Sequence, residues 1–459
     1  MVSVSIQLNK NAGNPLHEQI SDALEKAIKA GALRGTRLPS VRGLARRLKV
    51  SPSTVTAAYR TLVDKHLAKA APRSSFVVAA DTKTREAPGI LSMEKIQPNL
   101  KYHPVAEFGQ LIAEVAGRDE SAGGYEDYRG WRRLRELLAA MNAEAGIAAD
   151  PDMDIFITAG CQQAIALVAQ IMGPGAKVAV EDPTYPGAQL AFQQAGATLV
   201  AIPNGDDGPD LKALEAAAGS IDLFYCCPTY GNPTGRSWSI KTREWVAALA
   251  AWKGFTIFED DYLGDLDYLD EKLPRLKALA PEAKIIHVRT FSKCLLPALR
   301  IAGVTADPQT IDLLLKKRLA ADITGSPFLQ RALALFIERG GYKDHLARVR
   351  PFYQSVRQAL RQELDKEGSA IRYGDPQGGL SLLAELPKGL DAGRFAAECE
   401  NLGVLIAPAR DYFLNPRQKD AFFRMCFGGI EPADAPFVVS ALNRACERTA
   451  LAAQSAPLV

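Results

Sequence analysis

The chain has 459 residues, of which 47% are hydrophobic and 23% charged, and a formal net charge of +3 at pH 7. That length exceeds one core of ordinary size and that balance is globular, which excludes a disordered or fibrous chain and predicts two or three domains. No apolar run is long enough to span a bilayer and no signal-peptide pattern opens the chain, so a cytoplasmic protein with no membrane partner is expected.

Seven cysteines, at 161, 226, 227, 294, 399, 426 and 446, form no Cys-x-x-Cys pair and have no histidine at zinc spacing. They are expected to be free thiols, with no metal site. Charge is uneven along the chain: residues 1–80 carry 13 lysines and arginines against 4 acidic residues, whereas the other 379 carry 42 against 48. A basic end on an acidic body is the balance of a nucleic-acid-binding module joined to a separate domain.

In chain order, Leu16, Ile20, Leu24, Ala27 and Ile28 recur at helical spacing, with Gly31 as the stop. Ser40 is placed to cap a second helix with Val41, Leu44, Ala45 and Leu48 on one face. Ser51 caps a third, Pro52 takes its first position, and Val55, Ala58, Tyr59, Leu62 and Val63 form its apolar face. Two short helices joined by a tight turn, with Ser53, Thr54, Thr56 and Arg60 on the open side of the second, predict a helix-turn-helix. Residues 67–70 and 76–78 follow as a two-stranded wing.

The residues Pro15-Leu16, Gly31-Ala32-Leu33, Arg37-Leu38-Pro39-Ser40-Val41-Arg42-Gly43-Leu44-Ala45, Val50-Ser51-Pro52-Ser53-Thr54-Val55 and Ala58-Tyr59 carry a resemblance to the winged helix-turn-helix of the GntR family, over about residues 10–79. The resemblance implies a double-stranded DNA partner. Arg42, Ser51, Ser53, Thr54 and Thr56 would meet phosphates and base edges, with Arg46, Arg47 and Arg73 as further contacts. The family's wing usually has glycines near its tip, and Arg73-Ser74-Ser75 has none.

Residues 80–95 lack periodicity and read as a linker that, fully extended, reaches about 50 Å. Beyond it, β-rich runs alternate with helical ones, the pattern of an α/β domain with a mainly parallel sheet. Strands are predicted at 155–158, 177–181, 198–202, 223–227, 256–259, 285–288 and 301–305. In such sheets ligands collect at the carboxyl ends of strands.

Five of those ends carry chemistry. Gly160-Cys161-Gln162 opens a helix whose free N–H groups suit a phosphate. Tyr185 offers a ring for stacking, Asn232 an amide on a tight turn, and Glu259-Asp260-Asp261-Tyr262 a carboxylate beside a phenol. The last end leads into Thr290-Phe291-Ser292-Lys293 and on to Arg300. An amine among apolar neighbours loses solvation and becomes a nucleophile for an aldehyde, and an arginine nearby forks onto phosphate. An aldehyde cofactor with a phosphate is therefore expected.

These strand ends resemble a fold-type I pyridoxal-phosphate aminotransferase over about residues 96–450, most specifically at Asn232-Pro233-Thr234-Gly235 and Ser292-Lys293 with Arg300. The resemblance implies pyridoxal 5'-phosphate held through Lys293, with Asp260 on the pyridine nitrogen and Tyr185 stacked on the ring. Asp261 is the alternative, the register being open by one residue. Asn232 and Tyr262 would bond the ring oxygen, and Thr290, Ser292, Arg300 and Gly160–Gln162 the phosphate. Tyr125, in Tyr-Glu-Asp-Tyr-Arg-Gly, matches the tyrosine that reaches a neighbouring subunit's phosphate and implies a homodimer. Arg424, in Phe-Arg-Met-Cys-Phe, matches the arginine that grips a substrate carboxylate.

The two halves together resemble the MocR subgroup of GntR regulators. This implies a DNA-binding domain at 1–79, a linker at 80–95, and at 96–459 an aminotransferase-like body, with a large mainly parallel-sheet domain and a smaller C-terminal α+β domain. Such a body senses an amino acid or related amine and dimerises. The competing expectation is a working aminotransferase with an appended DNA-binding domain.

Overall fold

The computed structural model describes residues 6, 8, 14–29, 38–64, 68–71, 75–78, 90–267, 272–366, 369, 371–376, 378–415 and 420–454. The chain divides into two units, 1–89 and 90–459.

In the first unit, helices α1 (Leu16–Lys29), α2 (Val41–Leu48) and α3 (Pro52–Asp64) precede an antiparallel ribbon of β1 (Ala68–Ala71) and β2 (Ser75–Val78). Ser40 Oγ accepts from Gly43 N at 3.1 Å and Ser51 Oγ from Thr54 N at 3.1 Å, so both expected caps hold free N–H groups of a first turn. Ile20, Leu24, Leu44, Ala45, Val55, Ala58, Tyr59 and Leu62 make the core, while Leu48 and Val63 are half-buried at its edge. Tyr59 Oη donates to the Pro39 carbonyl at 2.8 Å, which satisfies a buried hydroxyl and ties α3 to the entry of α2. β1 ends one residue after the expected 67–70 and β2 begins one residue before the expected 76–78, and Arg73, with the tip at 72–74, lies outside the described residues.

Residues 90–95 correct the linker reading. β3 (Leu91–Ser92) pairs in parallel with β13 (Val404–Leu405), and Met93 is completely buried. Leu91 and Met93 give this stretch something to bury, but six residues are too few for periodicity to show.

The second unit continues through α4 (Val105–Arg118), α5 (Arg132–Glu144), β4 (Ile155–Thr158), α6 (Cys161–Met172), β5 (Lys177–Asp182), α7 (Pro186–Gln194), β6 (Thr198–Pro203), α8 (Leu211–Ala217) and β7 (Leu223–Cys226). Then come α9 (Ile240–Lys253), β8 (Thr256–Asp261), α10 (Leu276–Leu279), β9 (Ile285–Thr290), β10 (Ala302–Thr305), α11 (Pro308–Ala321) and α12 (Pro327–Glu338). The seven strands β4 to β10 form one sheet in the order β4-β10-β9-β8-β7-β5-β6, with only β10 antiparallel to its neighbours. Alternation along the strands fills two cores: Leu223, Tyr225, Phe258 and Val288 face one, Phe224, Cys226, Ile257 and Ile285 the other.

The long α13 (Gly341–Leu364) leads into the smaller domain. Its first half, Tyr342 to Tyr353, packs on the large core, and Val356, Leu360 and Leu364 pack on the small one. There β11 (Arg372–Tyr373), β12 (Ser381–Glu385), β14 (Ala407–Pro408) and β15 (Phe422–Cys426) form an antiparallel sheet ordered β11-β12-β15-β14, backed by α14 (Ala392–Asn401) and α15 (Ala435–Gln454). All seven cysteines are free thiols. Among the described residues, no helix is long and apolar enough to cross a membrane.

Candidate functional site

A cavity of about 540 Å³ opens where the strand ends of the large sheet meet β15 of the small domain. Cys161, Gln162, Tyr185, Asn232, Asp260, Tyr262, Thr290, Ser292, Lys293, Arg300 and Arg424, all expected from the sequence, line it. Gly160 stands behind the wall. Its φ of +86° and its lack of a Cβ let the Arg300 guanidinium pass, since a Cβ would lie 2.8 Å from Arg300 Nη2. Arg300 Nη2 also donates to the Ala159 carbonyl at 3.0 Å, which fixes the arginine beside the first turn of α6. Thr290 and Ser292 join there, with Ser292 N donating to Thr290 Oγ1 at 3.3 Å. This corner combines a guanidinium, hydroxyls and a helix N-terminus, a set that attracts an anion.

The two aspartates separate cleanly. Asp260 lies on the face of β8 shared with Phe258 and reaches the cavity, while Asp261 turns to the opposite face. Asp260 Oδ2 accepts from Tyr225 Oη at 2.7 Å and Oδ1 from Cys161 Sγ at 3.1 Å. Burial pushes its carboxyl up to about 6, against the pull of those two donors. Asp261 is buried too, but Arg275 Nε at 2.6 Å and His287 Nε2 at 3.2 Å hold its carboxyl well below the usual range.

Lys293 is half-buried and its Nζ donates to the Ile96 carbonyl at 2.7 Å. Burial first, then the positive charges of Arg424 and Arg300, lower its pKa and favour the free amine. Arg424 comes in from β15, with Nη1 on Asn232 Oδ1 at 3.1 Å and Nη2 on the Glu94 carbonyl at 2.6 Å. Its guanidinium lies 4.9 Å from the centre of the Tyr412 ring, and its buried Nε has no partner. The Tyr262 hydroxyl donates to the Tyr230 carbonyl at 2.7 Å. Tyr125 does not line this cavity and is 84% exposed.

In the first unit, Arg42, Arg46, Ser51 and Ser53 are exposed and Thr54 and Thr56 half-buried. Part of this hydroxyl set serves the helix itself. Ser51 Oγ lies 2.7 Å from both Ser53 Oγ and Thr54 Oγ1, and Thr56 Oγ1 donates to the Pro52 carbonyl at 3.0 Å.

Several residues of the site escaped the sequence reading. Tyr225 lies inside β7, one position before its carboxyl end, and only the β7–β8 pairing brings it under Asp260. Cys161 was expected through its backbone, yet its thiol donates to Asp260. Residues 95–97 and Tyr412 form a wall that no motif marks.

Residues 98–442 match the aminotransferase class I and II family, and residues 16–78 match the gntR family of bacterial regulatory proteins. The chain is 33% identical over 342 residues to the 2-aminoadipate transaminase of Thermus thermophilus, covering 72% of this chain and 84% of that one. It is 29% identical to the HTH-type transcriptional regulator TauR of Rhodobacter capsulatus, covering 94% of this chain and 96% of the other. The crystal structure of LysN, the α-aminoadipate aminotransferase of Thermus thermophilus, complexed with N-(5'-phosphopyridoxyl)-L-leucine, superposes with a TM-score of 0.74 at 29% identity. That match spans 80% of this chain and 94% of the other.

Pyridoxal phosphate is the cofactor of this family, and the residues present fit it. An anion corner, a buried carboxylate and a half-desolvated amine occupy one cavity, beside an aromatic ring and a buried arginine Nε with no partner. The chain belongs to the aminotransferase class I and II family and carries at its N-terminus a GntR-type DNA-binding domain, the arrangement of MocR-type regulators.

Proposed function

We propose that the body binds pyridoxal phosphate through Lys293, reads an amino acid or related amine there, and passes the result to promoter DNA held by the N-terminal domain. The observation that supports this most is the convergence of Lys293, Asp260, Arg300 and Arg424 on one cavity in a chain that begins with a helix-turn-helix. In this reading the DNA-binding domain ends at 79 and the body begins at 90.

Bound in the cavity, pyridoxal phosphate supplies an aldehyde that primary amines take up reversibly and a ring that draws electrons when protonated. Asp260 keeps the proton on the ring nitrogen, because a carboxylate raises the pKa of a cation beside it. Tyr185 covers the ring, and Asn232 and Tyr262 hold its oxygen. Gly160–Gln162, Thr290, Ser292 and Arg300 take the phosphate. Lys293 would hold the aldehyde, for which a substrate amine would compete, and Arg424 would fork onto the carboxylate of that amine. Tyr125 completes the phosphate site of a partner subunit in a homodimer. On the DNA side, Arg42, Arg46, Ser51, Ser53, Thr54 and Thr56 meet the promoter, with Arg73 on the wing. Effector binding changes promoter occupancy only if it favours one arrangement of the dimer, and release of Lys293 is the differential step. A promoter-binding role places the protein in the cytoplasm.

A second reading, steady transamination, is favoured by the completeness of the site and by the named activity of the Thermus thermophilus relative. Mixing the loaded full-length protein with a panel of amino acids and keto acids, while following cofactor absorbance, separates the two. Spectral change without turnover supports the sensor, and steady turnover supports the enzyme. Lys293→Ala is expected to lose the absorbance of the attached cofactor and the effector response but keep basal promoter binding. Unchanged regulation in that variant would overturn the proposal.

A further inference from the structure

Asp260 and Thr290 point to the cofactor cavity, whereas Asp261 and Arg289 turn away from it, and a second cavity opens on that side. It measures about 490 Å³. Five cations, Lys272, Arg275, Arg289, Lys343 and Arg350, line it against two carboxylates, Glu144 and Asp265, with Met141, Ile337 and Leu346 as an apolar surface.

Most of the deep polar groups are committed. Arg275 holds Asp261. Asp265 Oδ2 accepts from Tyr342 Oη at 2.7 Å, and the Asp265 carbonyl takes Arg350 at 3.0 and 2.8 Å. Arg289 is the exception. It stands across the β8–β9 pairing from Asp261, whose carboxylate Arg275 and His287 already engage. Only 5% exposed, its side chain makes no hydrogen bond or ion pair to any described residue, and its buried Nε is unmatched. The charge of Asp261 acts on it across the pairing, but its donors are out of water and need acceptors. Above it the rim carries Lys272 and Lys343, both exposed.

We infer that this cavity binds a phosphoryl group, carried by inorganic phosphate or by a small phosphate monoester with an apolar body. Two faces of the site favour that chemistry. Arg289 offers a planar fork and the lysines add point charges from other directions, which suits a tetrahedral dianion. The apolar surface beside them suits the body of a monoester. The occupant joins β9, which leads to Lys293, to α13, which packs on both cores. Its place thus suits a second, regulatory ligand distinct from the effector amine.

The test titrates full-length protein loaded with pyridoxal phosphate, so that the cofactor's own phosphate position is filled. Phenyl phosphate and inorganic phosphate are the probes and calorimetry is the readout. Binding is expected for both; tighter binding of phenyl phosphate assigns the site to a monoester, and equal binding assigns it to inorganic phosphate. Arg289→Gln is expected to weaken binding at least tenfold, about 1.4 kcal/mol, and Lys343→Ala to weaken it severalfold. Because Arg289→Gln removes buried donors that have no acceptor, while Arg275 and His287 still hold Asp261, its ligand-free Tm is expected to stay close to that of the parent, which separates lost binding from lost folding. The inference fails if neither probe binds the parent protein, or if both variants bind like it.

Discussion

Tyr225→Phe tests how the site sets the charge on Asp260. The substitution removes one oxygen and keeps a ring that packs against Phe192 and Phe258. What is lost is the 2.7 Å hydrogen bond from Tyr225 Oη to Asp260 Oδ2, between two buried groups. A hydrogen bond to a charged group contributes about 1.5–3 kcal/mol, and each pKa unit corresponds to about 1.4 kcal/mol. Burial has pushed the Asp260 carboxyl up to about 6, with Tyr225 the first of the donors opposing that rise. Without Tyr225 the value is expected to move to roughly 7–8, since the weaker Cys161 thiol alone cannot replace the phenol. Asp260 must be ionised to hold a proton on the cofactor ring. Cofactor affinity, measured by absorbance titration from pH 6 to 9, should therefore weaken below about 6 in the parent protein and from roughly 7.5 downward in the variant. At pH 7 the difference should be about fourfold, the ratio of ionised carboxylate for values of about 6 and roughly 7.5. Coincident pH profiles for variant and parent, with the fold intact by thermal melting, would refute the reasoning.

Two further outcomes are expected. Arg42→Ala should weaken promoter binding by a similar factor on all sequences and reduce the slope of log affinity against log salt by about one, if Arg42 meets a phosphate; a base-specific loss with an unchanged slope would place it in the groove instead. His103 and His345 meet edge to face, ring centres 4.7 Å apart, behind the lysine loop, where His103 bonds the Leu295 carbonyl and His345 bonds that of Cys294 at 3.0 Å. Burial lowers both to about 4 from the ordinary 6.5. The unfolded chain therefore takes up these protons as pH falls from 6.5, and the folded chain does not until about 4, so each histidine loses stability through that window. Glu181 and Asp260, raised by burial to about 7 and about 6, act in the opposite sense over an overlapping range, so the histidine contribution is isolated by difference. The cost of His345→Gln in urea unfolding should shrink by about 1.4 kcal/mol per pH unit below 6.5, and a cost independent of pH would remove His345 from the account.

Much of this molecule was legible as sequence because its signals are local. Ser40 and Ser51 precede apolar runs at helical spacing, and a capping hydroxyl acts within three residues, so α2 and α3 and their faces followed directly. The strands from β4 to β10 were located because runs buried on both faces are apolar throughout, and residues that line the cavity were singled out because strand carboxyl ends in parallel sheets gather on one side. The choice between Asp260 and Asp261 stayed open for the opposite reason. Period two puts neighbours on opposite faces but does not say which face looks onto the ligand, and that was decided by Tyr225 arriving from β7 and Arg275 from the far side. Residues 90–95 joined the body only because β13, some three hundred positions away, offers them an edge. Arg289 sits within a strand beside the lysine motif and reads as one more polar residue there; its burial without a partner is a property of four elements packed together. The sequence by itself determined the elements, the order of the two units and the residue types that meet a cofactor. Tertiary structure decided which of those residues face one another, because partners in a charge network are chosen by contact in space and not by distance along the chain.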